Sequence, residues 1–166
     1  TQTLDFALDN LFMGTTAPSL SSGTSNVAYG FGALEDVTTG RENVAVGRGA
    51  LANITTNSFA TAVGHNAAVS STTSETVAVG AFALQAASTG SEMAIGYRSL
   101  VSCTTGLRNI SIGSNTLEAL TTGSGNTCLG SNAAQDLISG DDNTFIGKGV
   151  INNLTTGSNN IAIGSS

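Results

Sequence analysis

The 166-residue chain carries a formal charge of −6, with 10% charged residues, 40% hydrophobic residues and 21 glycines. An acidic chain is poorly suited to a nucleic-acid backbone, so we expect no nucleic-acid partner. Its apolar runs are far shorter than the roughly 20 residues that a membrane-spanning helix needs, so we expect no membrane insertion. The chain begins at Thr1 without a methionine, and we interpret it as a piece of a longer protein.

The first part of the chain is irregular. We predict that residues 1–25 form an N-terminal cap with a first imperfect repeat and that residues 26–166 form regular repeats. Within the cap, residues 9–14 resemble the later repeats, whereas Pro18 stands where those repeats carry leucine. Terminal repeats of a stack are expected to be atypical. We expect residues 1–8 to cover the edge of the first repeat or to join an upstream segment.

A five-residue motif, Asn-x-Ala-x-Gly, recurs along the chain, as in Asn43–Gly47 and Asn160–Gly164. The glycine that closes each copy, here called the closing glycine, is found at positions 14, 30, 47, 64, 80, 96, 113, 130, 147 and 164. The spacing is always 16 or 17 residues. A short fixed period indicates a solenoid, in which each repeat is one rung of a coil.

The residues between motifs also follow a pattern, which we number from the closing glycine. Apolar residues at +3, +4 and +7, such as Leu34 and Val37 after Gly30, have helical spacing and predict a short helical turn. A Thr-Thr-Gly corner follows, for example residues 38–40, where glycine is expected to end the turn with a positive φ. We therefore predict an all-β parallel β-solenoid, or β-roll, of about ten rungs of 16–17 residues with short helical turns.

Alternation along each strand predicts which side chains face the coil interior. We expect the large outer residues, such as Val44 and Val46, to point inward against the leucine at +4. The middle residue then points outward, and a row of small outward residues indicates a tight contact with other chains. This row, predicted to pack at a trimer axis, comprises Ala28, Ala45, Ala62, Ala78, Ala94, Ser111, Cys128, Phe145 and Ala162.

Polar residues mark other positions of the rung. Charged residues from Glu35 onward occupy +1, +2, +5, +6, +11 or +12, which indicates the solvent side; Glu92, at the asparagine position, is the one exception. We expect the recurring asparagine to form a ladder of stacked side-chain amides. Cys103 and Cys128 fall at different positions of the rung, so we expect two buried free thiols without a disulfide.

No catalytic constellation is visible, and we expect a protein that is not an enzyme. His65 is the only histidine and lies at +1, where we expect an incidental role. The acidic pairs 35–36 and 141–142 lie on the solvent side. We expect neither a cofactor nor a metal. The alternative that stays open is a calcium ion bound at residues 141–142 of three chains. The threonine column could order water as in ice-binding proteins, although corner threonines commonly bond nearby backbone.

Four aromatic residues fall at +1, +2 or +12, positions that are otherwise polar. Grouped on one side, they could stack on sugar rings, and packing between chains is the alternative. These candidate binding residues are Phe31, Phe59, Phe82 and Tyr97.

The motifs Asn-Val-Ala-Val-Gly and Asn-Ile-Ala-Ile-Gly resemble the head repeats of trimeric autotransporter adhesins. The longer spacer Gly-x-x-Ala-Leu-x-x-x-Thr-Thr-Gly, as in residues 30–40, resembles repeats of bacteriophage tail fibres. Both resemblances span residues 10–164 and imply a left-handed homotrimer on a virion or a bacterial surface, outside the cell. We expect a rigid fibre shaft that contacts host-surface glycans, or alternatively an adhesin head that binds host surface molecules. The period of 16–17 residues is longer than the usual adhesin coil.

Overall fold

The computed structural model describes residues 2–5, 9–14, 22–86 and 90–166. The strands, in chain order, are β1 (Gln2–Asp5), β2 (Asn10–Met13), β3 (Val27–Tyr29), β4 (Val44–Val46), β5 (Thr61–Val63), β6 (Val77–Val79), β7 (Met93–Ile95), β8 (Ile110–Ile112), β9 (Thr127–Leu129), β10 (Thr144–Ile146) and β11 (Ile161–Ile163). They form one sheet in sequence order. The predicted parallel β-solenoid is therefore confirmed.

Strands β2 to β11 pair in parallel, with each motif position opposite the same position of the next rung, as Ala45 is opposite Ala62. At the N-terminal end β1 pairs antiparallel with β2, with Leu4 opposite Leu11. Residues 2–5 thus cover the first edge of the sheet, which was one of the two expectations for this segment. Pro18 lies outside the described residues.

The connections between strands contain turns, and the described residues contain no helix. The predicted helical turn is therefore wrong. The residue at +4 has a φ between +48° and +57° in every described rung from Leu34 to Ile151, which no right-handed helix allows. The N–H group of the +4 residue points to the next rung. For example, the Leu34 N–H donates to the Ala50 carbonyl of that rung at 3.1 Å. The spacing of +3, +4 and +7 arises because the chain curves around the interior.

The predicted positive φ of the corner glycine is found at Gly157, with φ +154°, but not at Gly40, Gly106 or Gly123. Gly40 has no positive φ, but a Cβ at this position would lie 3.2 Å from the Asn43 amide nitrogen and would also overlap the Asn57 carbonyl. Glycine is needed because the next rung approaches closely. The corner hydroxyls bond the backbone, as expected, since Thr38 Oγ1 donates to the Thr55 carbonyl at 3.1 Å.

The strands face the opposite way from the prediction. Ala45 is 0% exposed inside its own coil, whereas Val44 is 36% exposed. The middle residue is buried in every strand from β3 to β10 and half-buried in β11. The residues assigned to a trimer axis therefore line the interior of one coil: Ala28, Ala45, Ala62, Ala78, Ala94, Ser111, Cys128, Phe145 and Ala162.

The volume of the coil explains this orientation. The interior already holds the residues at +4 and +7, such as Leu51 and Ile54, both fully buried as predicted. A three-residue strand can direct its one middle side chain inward, and only a small residue fits beside leucine at close packing. Phe12 and Phe145 are the two large middle residues, and both are also buried.

The predicted asparagine ladder is present. Asn126 Nδ2 donates to Asn109 Oδ1 at 2.9 Å and to the Gly140 carbonyl at 2.8 Å, and its own Oδ1 accepts two N–H groups of Asn143. The same contacts join Asn10, Asn26 and Asn43, and again Asn109 through Asn160. The ladder satisfies buried polar groups along the core of the coil, which is what buried amides require.

The ladder is interrupted over three rungs, where Ala60, Thr76 and Glu92 replace asparagine. In the asparagine rungs the side-chain amide donates to a corner carbonyl. In the Thr76 rung the Thr73 hydroxyl makes this bond instead, donating to the Gly90 carbonyl at 2.8 Å. At Glu92 a carboxylate accepts the bonds from Asn109 instead. The middle of the rod thus differs from its two ends in how the buried backbone is satisfied.

Candidate functional site

The first and third residues of strands β3 to β11, with Leu11 and Met13 of β2, form one continuous surface, which we call the outer sheet face. It carries no charge over ten rungs and is apolar except for three threonines, Thr61, Thr127 and Thr144. Its most exposed large side chains include Leu11, Val27, Tyr29, Val44, Val63, Ile110 and Leu129, with Ile161 and Ile163 at the C-terminal edge. Sequence reasoning missed this surface because it assigned the opposite phase to the strand alternation.

The outer sheet face is long and narrow. Rungs stand roughly 4.8 Å apart and alternate strand residues roughly 7 Å apart, so the face has a footprint of roughly 300 Å². An area of this size is comparable to the largest apolar patch of a typical monomer, which is often functional. The outer sheet face, and not the row of small residues, is thus the candidate surface for contact between chains.

A second surface lies beside it, at positions +1 and +2, and we call it the basic–aromatic strip. Successive rungs place Phe31, Arg48, His65, Phe82 and Tyr97 next to one another. The Arg48 guanidinium carbon lies 5.8 Å from the Phe31 ring centroid, and Arg48 Nη1 lies 3.3 Å from His65 Nε2. The rings of His65 and Phe82 are 4.9 Å apart, and those of Phe82 and Tyr97 are 6.2 Å apart.

Three of the four aromatic candidates are therefore brought together. Phe31 and Tyr97 are 53% and 50% exposed, and Phe82 is half-buried between its two ring neighbours. Phe59 is also 51% exposed, but it lies at +12 on a different corner of the coil. The structure separates Phe59 from the other three.

Two shallow depressions flank the basic–aromatic strip. One, of about 190 Å³, is lined by Phe31, Gly32, Glu35, Arg48, Gly49 and Asn66. The other, of about 320 Å³, is lined by Phe82, Gln85, Tyr97 and Arg98. Each combines an aromatic ring with hydrogen-bonding side chains, which suits a polar ligand that also has apolar faces.

Sequence reasoning overlooked Arg48 and His65 as neighbours of the aromatic residues. Their signal was present, because Phe31, Arg48 and His65 share position +1 in three successive rungs. In an in-register solenoid, residues at one repeat position lie directly above one another. The charged positions, by contrast, are exposed or half-buried as predicted, apart from Glu92 at 2% exposure.

Three buried groups have shifted acidities. Burial raises the pKa of Glu92 to about 7, against the opposing effect of hydrogen bonds from Asn109. Burial also raises the pKa of Cys103 to about 12, helped by the negative charge of Glu92, and that of Cys128 to about 12. Both thiols are free and buried, as predicted.

Among the described residues, no group of three or more histidine, cysteine, aspartate or glutamate side chains is placed to hold a metal ion. That same part of the chain has no helix long and apolar enough to cross a membrane. Comparison of the sequence and structure with protein-family models, with characterised proteins and with solved structures finds no match.

Proposed function

We propose that this chain is a structural and receptor-binding segment of a bacteriophage tail fibre, in which three copies form a rigid, left-handed shaft. The observation that carries the proposal is the outer sheet face, a charge-free apolar surface along all ten parallel strands. Each coil is thin, and burying this face against two other copies adds the apolar contact that a small core lacks. Three identical chains around one axis give closed symmetry.

The shape of the coil suits a shaft. Ten rungs at roughly 4.8 Å make a rod of roughly 45 Å, and backbone hydrogen bonds join consecutive rungs on the sheet side and on the turn side. The resemblance of the spacer in residues 30–40 to tail-fibre repeats supports a fibre, and the exposed aromatic residues support contact with host glycans. The proposed role is mechanical and adhesive, without catalysis.

The alternative is the head of a bacterial trimeric adhesin that binds host surface molecules. The motif Asn160–Gly164 supports it, because that sequence resembles adhesin head repeats. The coding sequence on either side of this segment separates the two: a chaperone domain indicates a fibre, whereas a coiled-coil stalk with a membrane anchor indicates an adhesin.

The oligomeric state tests the proposal. Light scattering during size-exclusion chromatography is expected to give a mass near three times 16.5 kDa. A double variant, Val44→Lys with Ile110→Lys, places charges on the outer sheet face and is expected to give folded single chains. A matched control, Asn53→Lys with Asn153→Lys, adds the same charge on the turn side and is expected to keep the trimer.

Either of two results would overturn the trimer. One is a wild-type chain that runs as a stable monomer, and the other is a double lysine variant that keeps the wild-type mass. Circular dichroism on each variant separates dissociation from unfolding. The variant Ala45→Lys is expected to unfold, because Ala45 lies in the coil interior.

A further inference from the structure

We propose that the basic–aromatic strip binds an acidic polysaccharide, with sugar rings packed on Phe31 and Tyr97 and an anionic group bound by Arg48. This inference rests on the proposed function, because it specifies the charge of the host glycan and the side of the rod that binds it. It follows from the charge distribution, from the contacts of Arg48 and from the dimensions of the strip.

The charge distribution singles out this side of an acidic rod. From Gly30 onward, positions +1 and +2 contain no aspartate or glutamate, although the chain has 11 acidic residues against five basic ones. The same positions hold Arg48, Arg98 and Lys148 together with the single histidine. Positions +1 and +2 thus carry only basic charges. Two carboxylates lie beside them: Glu118 pairs with Arg98, and Glu35 lines the same depression as Arg48.

Arg48 is positioned to receive an anion. The described residues contain one ion pair, between Arg98 Nη2 and Glu118 Oε1 at 2.8 Å, so Arg48 has no carboxylate partner there. A guanidinium only donates hydrogen bonds, so His65 Nε2 is the acceptor in the 3.3 Å contact with Arg48 Nη1. Stacking on Phe31 and this bond hold the guanidinium in place while other N–H groups remain free for a carboxylate or sulfate.

The dimensions of the strip fit an extended polymer. Phe31 and Tyr97 are four rungs apart, or roughly 19 Å, and the two depressions lie at the two ends of this span. Asn66 and Gln85 line the depressions and supply hydrogen bonds for sugar hydroxyls. The exposed ring faces suit the apolar faces of pyranose rings. A neutral glycan would leave the Arg48 guanidinium without an anionic partner.

Isothermal titration of the purified chain tests the inference with two anionic probes, a galacturonic acid hexamer and a heparin hexasaccharide. The fully methyl-esterified galacturonate hexamer is the uncharged control. We expect at least one anionic probe to bind. Binding of the galacturonate hexamer indicates a carboxylated ligand, and binding of the heparin hexasaccharide indicates a sulfated one. Esterification is expected to weaken binding about tenfold, and added salt should weaken it further.

Matched variants test the location. Arg48→Gln and Phe31→Ser are each expected to weaken binding about tenfold. Arg41→Gln and Phe59→Ser make the same chemical changes at exposed positions on the opposite corner and are expected to leave binding unchanged. Absence of binding by both anionic probes, equal binding of the esterified hexamer, or unchanged binding of Arg48→Gln would each overturn the inference.

Light scattering on the same samples separates this inference from the trimer proposal. A monomeric wild-type chain that binds an anionic probe through Arg48 would overturn the trimeric fibre and leave the binding site standing. A Phe31→Ser variant that dissociates into single chains would show that the strip is a contact between chains, and would overturn the ligand site instead.

Discussion

Asn109 donates two hydrogen bonds to the Glu92 carboxylate, from its backbone N–H to Oε2 at 2.8 Å and from its side-chain amide to Oε1 at 3.4 Å. Glu92 occupies a position that holds asparagine in seven of ten rungs, and it is 2% exposed. The Glu92 carboxylate accepts the hydrogen bonds that an asparagine side-chain oxygen accepts in other rungs. The cost is the burial of an ionisable group.

The first prediction concerns pH. The pKa of Glu92 is about 7 in the folded chain, above its ordinary value of 4.5, so the folded state binds this proton more tightly than the unfolded state does. The resulting stabilisation is complete below about pH 4.5 and is lost as the pH rises through about 7. In the wild type, the free energy of unfolding measured in urea should be lower above this pH window than below it, by on the order of 2 kcal/mol.

Glu92→Gln should remove this pH dependence, because an amide of the same shape has no proton to lose. Glu75→Gln removes the same formal charge at an exposed position and serves as the control. A Glu92→Gln variant that retains the wild-type pH profile would show that the dependence arises from another group.

The second prediction concerns the asparagine ladder. Asn126→Ala removes two donated bonds and leaves buried N–H groups of Asn143 without their acceptor. Because unsatisfied buried polar groups are expensive, the free energy of unfolding should fall by about 3 kcal/mol in urea titration. Asn53→Ala removes one exposed bond to Ser70 and should cost less than about 0.5 kcal/mol. Equal losses for the two variants would contradict a structural role for the ladder.

The third prediction concerns the closing glycines. Gly47 has a φ of +125°, and a Cβ there would lie 2.6 Å from the Gly64 carbonyl oxygen, so alanine must push consecutive rungs apart. We expect Gly47→Ala to lower the free energy of unfolding by more than about 3 kcal/mol. Gly164 has a φ of +155° with nothing within 4 Å, so Gly164→Ala should cost only the backbone strain, about 1 to 2 kcal/mol. Thermal unfolding of both variants makes the comparison, and a tolerated Gly47→Ala would argue against the stacking of rungs described above.

The fourth prediction concerns the thiols. Cys103 and Cys128 are buried, with pKa values raised to about 12, so neither forms an accessible thiolate near neutral pH. Ellman's reagent at about pH 8 should react with neither thiol in the folded protein and with both after unfolding in guanidinium. Rapid labelling of a thiol in the native protein would mean that the coil opens locally.

Much of the fold could be predicted from the repeat alone. The spacing of Asn26 and Asn43 and of the closing glycines places equivalent residues opposite one another, and the amide ladder follows from that register. The described +4 and +7 residues were assigned correctly to the core except in the C-terminal rung, where Ile151 is exposed and Leu154 is half-buried. The predicted helical turn failed because spacing at +3, +4 and +7 describes any chain that curves around an apolar interior.

The candidate site was predictable only in part. The exposed aromatic residues could be selected because they replace polar residues, and the common position of Phe31, Arg48 and His65 was readable from the repeat. The separation of Phe59 from this group depends on which corner each loop position occupies. That depends on the path of the turns, for which the sequence contains no direct signal.

By itself the sequence determined the period, the parallel register, the asparagine ladder and the solvent side of each rung, because all of these follow from residues that recur at a constant interval. Only the tertiary structure decided which face of the strand is the interior. Alternation along a strand has two equally valid phases, and a three-residue strand cannot distinguish them. The choice depends on the space left beside residues such as Leu51 and Ile54, so Ala45 faces the core and Val44 faces outward.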